Sequence, residues 1–288
     1  TVYPSYSFAR LCVFAGLYED FSEALEETMT KTLGRLCEIN SRRWISFLLD
    51  ILPHIDKVSA DALNSSQKAM LLMLHYTIYQ KSVESMGFRS VTQSLTALKQ
   101  NPTMFAELME LLKLNFERID FIDEPVDMGF DCPLDLHCSY SRDQLLAALG
   151  YYTEDKMPAM REGVKYLPDK NLDIFLITLN KSDKDYSPST LYDDYSINES
   201  LFHWQSQNTT SEQSATGQRY IHHRQSDNKI ALFVREYKMN KAGAYPYTFL
   251  GLADYVTHTG SRPMNITWRL HRPIPAKFLK KTRKVIVG

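Results

Sequence analysis

The chain has 288 residues, 44% apolar and 23% charged, which supplies a core for one large or two ordinary domains and excludes disorder. No run approaches ~18 uninterrupted apolar residues, so no membrane-spanning helix is expected, and four cysteines do not make a disulfide framework. The net charge of −1 conceals two unlike parts: residues 1–138 hold 12 Lys+Arg against 19 Asp+Glu, and residues 139–288 hold 21 against 15.

The basic part also carries 12 of the 17 tyrosines. Of the two parts it is the one suited to a polyanion. No basic segment followed by an apolar run marks a secretory signal, so a reducing, cytoplasmic setting is expected. A start at Thr1 rather than Met fits a piece of a longer protein.

In chain order, the first half reads as an all-α bundle of roughly five or six helices. Ser22 is placed to cap the run EALEETMTKTLGRLCEI, and Asn40 or Ser41 to cap RRWISFLLDIL, which stops at Pro53. QKAMLLMLHYTIYQ is apolar around most of its circumference, as in a buried helix. Asn101-Pro102 pairs an N-cap with Pro at the first helical position and opens TMFAELMELLKLNFERI. Residues 119–140 lose the helical period and gain Pro, Gly and Asp, which reads as a connection between a domain at 1–138 and one at 139–288. Ser141 then caps RDQLLAAL, with Gly150 at its C-terminal end.

After residue 160 the pattern turns to β. Six runs, at 173–180, 200–207, 218–223, 229–238, 247–256 and 264–271, are short, β-branched or aromatic, and separated by turn residues. They predict a small curved sheet or barrel, followed by a short basic helix in PAKFLKKTRK; the whole is α+β.

Three constellations bear on chemistry. Cys132, His137 and Cys138 form C-x4-H-C, but zinc needs a second pair of ligands, so an ordinary linker is expected and no metal. Pro168-Asp169 with Glu236 and Lys238 resembles the PD and ExK elements of metal-dependent nucleases, in which a carboxylate and an ammonium hold an ion and its attacking water. Asp169 and Glu236 are 67 residues apart, and charges commonly end a strand as it leaves a core. No G-x-S-x-G or P-loop is present, and His222-His223 reads as a solvated strand edge. The third constellation is YSPSTLYDDYSINESLFHWQSQN at 186–208, which sets Tyr192, Asp193, Asp194 and Tyr195 in a loop before Phe202, His203 and Trp204 on a strand. A pocket for an extruded nucleobase needs aromatic faces, and for cytosine a carboxylate accepting from the N4 amino group. The same residues also suit an aromatic loop packed on its own barrel.

NKIALFVREYKMN, YPYTFLGLADYVTHTG and MNITWRLHRP resemble the later strands of SRA (SET- and RING-associated) domains, which bind 5-methylcytosine in DNA. The features that match are Arg235, Gly251 to Val256, and Trp268-Arg269-Leu270. In that family a Tyr opening an acidic cluster and an aromatic 12 positions later form the base pocket, a spacing that Tyr192 and Trp204 repeat, with Trp in place of Tyr. The family's carboxylate aligns nearest Tyr195, one position after Asp194, which leaves the acid open between Asp193 and Asp194. The second half as a whole, from REGVKYLPDK to PAKFLKK, is similar to the C-terminal region of SauUSI-type type IV restriction enzymes, long bacterial proteins with a phospholipase-D-like nuclease, a helicase motor, a helical coupler and an SRA-like reader.

The resemblance implies an SRA-like (PUA-like) curved β-barrel at 139–288 behind a helical coupler at 1–138. It implies base contacts from Tyr192, Asp194, Tyr195, Trp204, Gln205 and Ser206. Backbone contacts are expected from Lys181, Lys184, Arg219, Arg224, Arg262, Lys280, Lys281 and Arg283. The partner would be duplex DNA carrying 5-methylcytosine, with 5-hydroxymethylcytosine as a further candidate. This chain would cut nothing. ATP and Mg would serve nuclease and helicase domains elsewhere in the same parent chain. The rivals are a nuclease using Asp169, Glu236 and Lys238, and an SRA-like protein–protein adaptor without a base pocket.

Overall fold

A computed structural model describes Tyr3 and residues 5–180, 194–240 and 243–282. The chain divides into two compact units, one of residues 1–127 and 131–159, the other of residues 128–130 and 160–288. No described helix is long and apolar enough to cross a membrane.

The first unit is helical: α1 (Phe8–Phe14), α2 (Glu26–Leu36), α3 (Arg42–Ile51), α4 (Ser65–Tyr79), α5 (Val91–Thr96), α6 (Pro102–Glu117) and α7 (Arg142–Ala148). Ser41 caps α3 by accepting from the Trp44 N–H at 3.2 Å. That fixes Trp44, which is fully buried and donates its indole N–H to the Met70 carbonyl at 3.0 Å. The helix expected to be buried on all sides is α4, begun by a capping box between Asn64 and Gln67.

Two caps differ from expectation. Asn101 does not cap α6, because its amide accepts from the Leu25 N–H and donates to the Ala97 carbonyl. The first-turn N–H groups of Thr103 and Met104 go instead to the Glu23 carboxylate, at 2.7 and 3.0 Å. With Glu23 so engaged, α2 starts at Glu26 and not behind Ser22.

Ser141 and Gln144 form the capping box of α7 as the sequence indicates. Gln144 also donates to the Thr77 hydroxyl of α4 at 3.0 Å, in a buried contact. This packing holds α7 in the helical unit, so the compact units part at 159/160 and not at 138/139.

The second unit is built on strands β1 (Val164–Leu167), β2 (Leu172–Thr178), β3 (Tyr195–Ser196), β4 (Leu201–Gln205), β5 (Lys229–Arg235), β6 (Tyr247–Thr259) and β7 (Asn265–Leu270). They lie in the order β1-β2-β5-β6-β7-β4-β3. β2 and β5 run parallel and the other neighbours antiparallel. The path is open at β1 and β3, so the described strands form a mixed sheet and not a closed barrel.

The core holds Phe175, Phe202, Trp204, Tyr220, Leu232, Leu250, Ile266 and Trp268. Residues 218–223, expected as a strand, belong to helix α8 (Ala215–Ile221) and the turn after it. Ser214 caps α8 by accepting from the Gly217 N–H at 3.1 Å. At Gly217 a Cβ would stand 2.0 Å from the Ser211 carbonyl oxygen, so only glycine lets the helix start this close to the preceding loop. The basic tail forms α9 (Ala276–Thr282).

Candidate functional site

Strand β4 sorts the residues that the sequence groups together. Its side chains alternate, with Phe202 and Trp204 buried and Leu201, His203 and Gln205 half-exposed. Trp204 is 5% exposed, stacks on Phe175 at 4.2 Å between ring centroids, and meets Tyr220 edge-on. It is a core ring, which corrects its assignment to an open base pocket. Ser206 is fully buried, and its hydroxyl accepts from the Met264 N–H at 2.9 Å and donates to the Gln207 carbonyl. It therefore joins β4 to β7 and lines no open pocket.

The other face carries Tyr195, His203, Gln205 and Asn265, and the buried Asp194 directly precedes Tyr195. Asp194 is 7% exposed, and its Oδ1 accepts from the Gln205 N–H at 2.9 Å. That bond draws the end of the tyrosine-rich segment onto β4. Tyr195 pairs with His203 across β3 and β4, and the rings stack at 4.7 Å, 15° from parallel. The Gln205 amide donates to Asn265 at 3.2 Å. Register extends two polar rows across the sheet: His203, Thr267 and Thr257, then Gln205, Asn265 and Thr259. Asn265 and Thr267 were not among the residues expected from sequence; the alternation along NITWRL is the signal that marks them. Tyr192, Asp193, Lys181, Lys184 and Arg283 lie outside the described residues.

The basic residues divide as well. Arg219 makes a two-point ion pair with Asp173, at 2.8 and 3.0 Å, and lies 3.9 Å over the Tyr166 ring. Asp173 is 1% exposed and also accepts from Asn228. Arg219 thus fastens α8 to β2, which corrects its assignment to the DNA backbone. Arg224, Arg262, Lys280 and Lys281 are exposed, and Lys281 lies 3.9 Å from Glu236.

The nuclease trio is not assembled. Asp169 sits in the turn before β2, and Glu236 and Lys238 follow β5. The parallel register pairs Leu172 with Lys229 and Thr178 with Arg235, which puts Asp169 and Glu236 at opposite ends of the strand pair, ~20 Å apart. Nor do Cys132, His137 and Cys138 converge. Among the described residues, the ligand atoms that do meet, within 4.8 Å, belong to Asp123, Asp135 and Cys138. Both carboxylates are engaged, Asp123 by Arg42 at 2.6 Å and Asp135 by Arg43 at 2.8 Å and Ser41 at 2.6 Å. Burial, with the two aspartates beside it, pushes the Cys138 thiol well above its ordinary pKa. Its two carboxylates thus belong to an ion-pair network with Arg42 and Arg43.

Of the paired histidines, His222 is exposed and His223 buried. His223 Nδ1 faces the Asn228 carbonyl at 2.9 Å, and its Nε2 accepts from the Tyr255 N–H at 3.0 Å. Burial lowers its pKa, and this pattern is that of a neutral ring.

A family model described as a domain of unknown function (DUF3427) matches residues 134–281. No curated protein matches the chain.

Proposed function

The chain belongs to the DUF3427 family, and from its candidate site we propose that it reads a modified cytosine in duplex DNA by taking the base out of the stack. The observation that carries this reading is the Asp194–Gln205 hydrogen bond. It ties a buried carboxylate, one position before Tyr195, to the strand whose His203 stacks on the Tyr195 ring. An extruded cytosine needs those two kinds of group: an acceptor for its N4 amino hydrogens and an aromatic surface for its ring.

In this reading Asp194 takes the N4 hydrogen bond. Tyr195 and His203 supply the aromatic surface in place of Trp204. Gln205 and Asn265 present amides to the base edge. The SRA-like resemblance supports the assignment, and the similarity to SauUSI-type enzymes supports a role as the reader of a longer ATP-dependent type IV restriction enzyme whose cutting and motor domains lie elsewhere. The separation of Asp169 from Glu236 disfavours the nuclease reading.

The test is a gel-shift comparison of two duplexes that differ only in the 5-methyl group of one cytosine. Preference for the methylated duplex, without cleavage when Mg²⁺ is added, is the expected result. Equal affinity for both, or cleavage by this chain, refutes the reading.

A further inference from the structure

Two arginines and a histidine of the β unit come to one carboxylate. Asp254 on β6 stands opposite Arg269 of β7, which sets their Cβ atoms about 5 Å apart. His271, just past β7, donates its backbone N–H to the Leu252 carbonyl at 2.9 Å, and its Nε2 lies 3.2 Å from Asp254 Oδ1. Arg224, in the turn after α8, brings its Nε to 4.0 Å from Asp254 Oδ2. The Arg224 side chain is 75% exposed and that of His271 49%. Arg269 and Arg272 are exposed too.

His223 lies within 3.8 Å of the same carboxylate, yet it adds no charge. Its Nε2 already accepts from the Tyr255 N–H, and its other nitrogen faces Asn228. Its part is to pin the 222–228 turn on β6, and so to fix where Arg224 stands.

We propose that Arg224, Arg269 and His271, arrayed around Asp254, form a phosphate-binding surface for the backbone of duplex DNA. One carboxylate stands among two guanidiniums and an imidazole, so the arginine charge exceeds it. Guanidinium groups suit phosphate oxygens because their N–H donors match the oxygens in pairs. Position favours DNA as the occupant. Side chains alternate along β7, with Ile266, Trp268 and Leu270 buried, so Arg269 shares a face with Asn265 and Thr267 of the candidate base site. A duplex held at Arg269 therefore lies alongside the site that would take its base. The proposal rests on the DNA-reading function above and adds a surface in which only Arg224 was anticipated.

The test is fluorescence-anisotropy titration of the full chain with methylated and plain duplexes across a salt series. Each lost phosphate contact lowers the slope of log affinity against log salt by about 0.9. Arg224→Ala with Arg269→Ala is expected to lower the slope by about 2, to weaken both duplexes by the same factor, and to leave the methyl preference intact. Arg224→Lys, which keeps the charge, is expected to keep most of the affinity. Asp254→Asn is expected to tighten both duplexes. An unchanged slope in the double variant, while the wild type still prefers the methylated duplex, overturns this surface and spares the base reading. A wild type that binds neither duplex overturns both. Capture of poly-glutamate that the double variant abolishes, with duplex affinity untouched, overturns the proposal in favour of an acidic protein partner.

Discussion

Replacing Trp204 by alanine separates a core ring from a base-stacking ring. The side chain is 5% exposed, lies face to face with Phe175 at 4.2 Å, and meets Tyr220 edge-on at 5.7 Å. Its loss removes an indole's worth of buried apolar surface and leaves a cavity between β4 and β2. Aromatic-to-alanine changes of this kind cost about 3–5 kcal/mol. Two lost ring contacts, each worth ~0.5–1.5 kcal/mol, fall within that figure. Trp204→Phe keeps a ring against Phe175 and is expected to cost less than half as much. Urea unfolding followed by circular dichroism measures both, and the transition to read is that of the β unit. A stacking residue in an open pocket behaves otherwise: its alanine variant keeps the unfolding midpoint and loses the preference for methylated duplex. That pair of results, a stability change under about 1 kcal/mol with discrimination gone, would falsify the core assignment of Trp204.

Asp194→Ala is expected to weaken binding of methylated duplex by about 1–3 kcal/mol, because the N4 amino group loses its acceptor; gel shifts in which only Asp193→Ala is costly would move the role to the neighbouring acid. Arg219→Ala leaves the Asp173 carboxylate, 1% exposed, without its cation, which costs about 3–5 kcal/mol in urea unfolding. The same variant is expected to leave the salt slope of DNA binding unchanged in those molecules that remain folded, and a lower slope would return Arg219 to the DNA. His75 is fully buried, with its Nε2 facing the Lys81 carbonyl and its Nδ1 facing the Ser94 hydroxyl, and burial lowers its pKa from 6.5 to about 4. The folded state therefore resists protonation. The stability it gains is fully present above pH 6.5 and is lost as the pH falls towards 4, by about 3 kcal/mol in all. A His75→Gln variant whose unfolding midpoint falls as steeply over that range as the wild type's would show that another group is responsible.

Much of the fold is legible because its signals are local. Ser41 and Ser141 stand where a capping hydroxyl must, and residues 67–80, apolar around most of the circumference, mark a buried helix. The failures involve partners distant in sequence. Asn101 has the form of a cap, but the N–H groups of α6 are taken by Glu23, 80 residues away for Thr103. Residues 218–223 are aromatic enough for a strand, yet the Ser214 cap and the contact at Gly217 make the segment helical. The boundary at 138/139 follows a real change in composition. It misplaces α7 because the contact that decides the matter joins Gln144 to Thr77.

The candidate site was legible in part for the same reason. Asp194, Tyr195 and Gln205 converge because the end of the tyrosine-rich segment folds back on the strand that follows it. A spacing of 12 from Tyr192 points Trp204 to the pocket through the family resemblance, and spacing does not say which face of a strand a residue takes. Alternation does: with Phe202 in the core, Trp204 must follow it inward, and His203 and Gln205 must turn the other way. Charge obeys a similar restriction. The surplus of basic residues after position 138 reads as a surface for a polyanion, but Arg219 is held by the buried Asp173. The cations offered outward are therefore fewer than composition suggests. Arg224 and Arg269 matter more for it, because both are exposed.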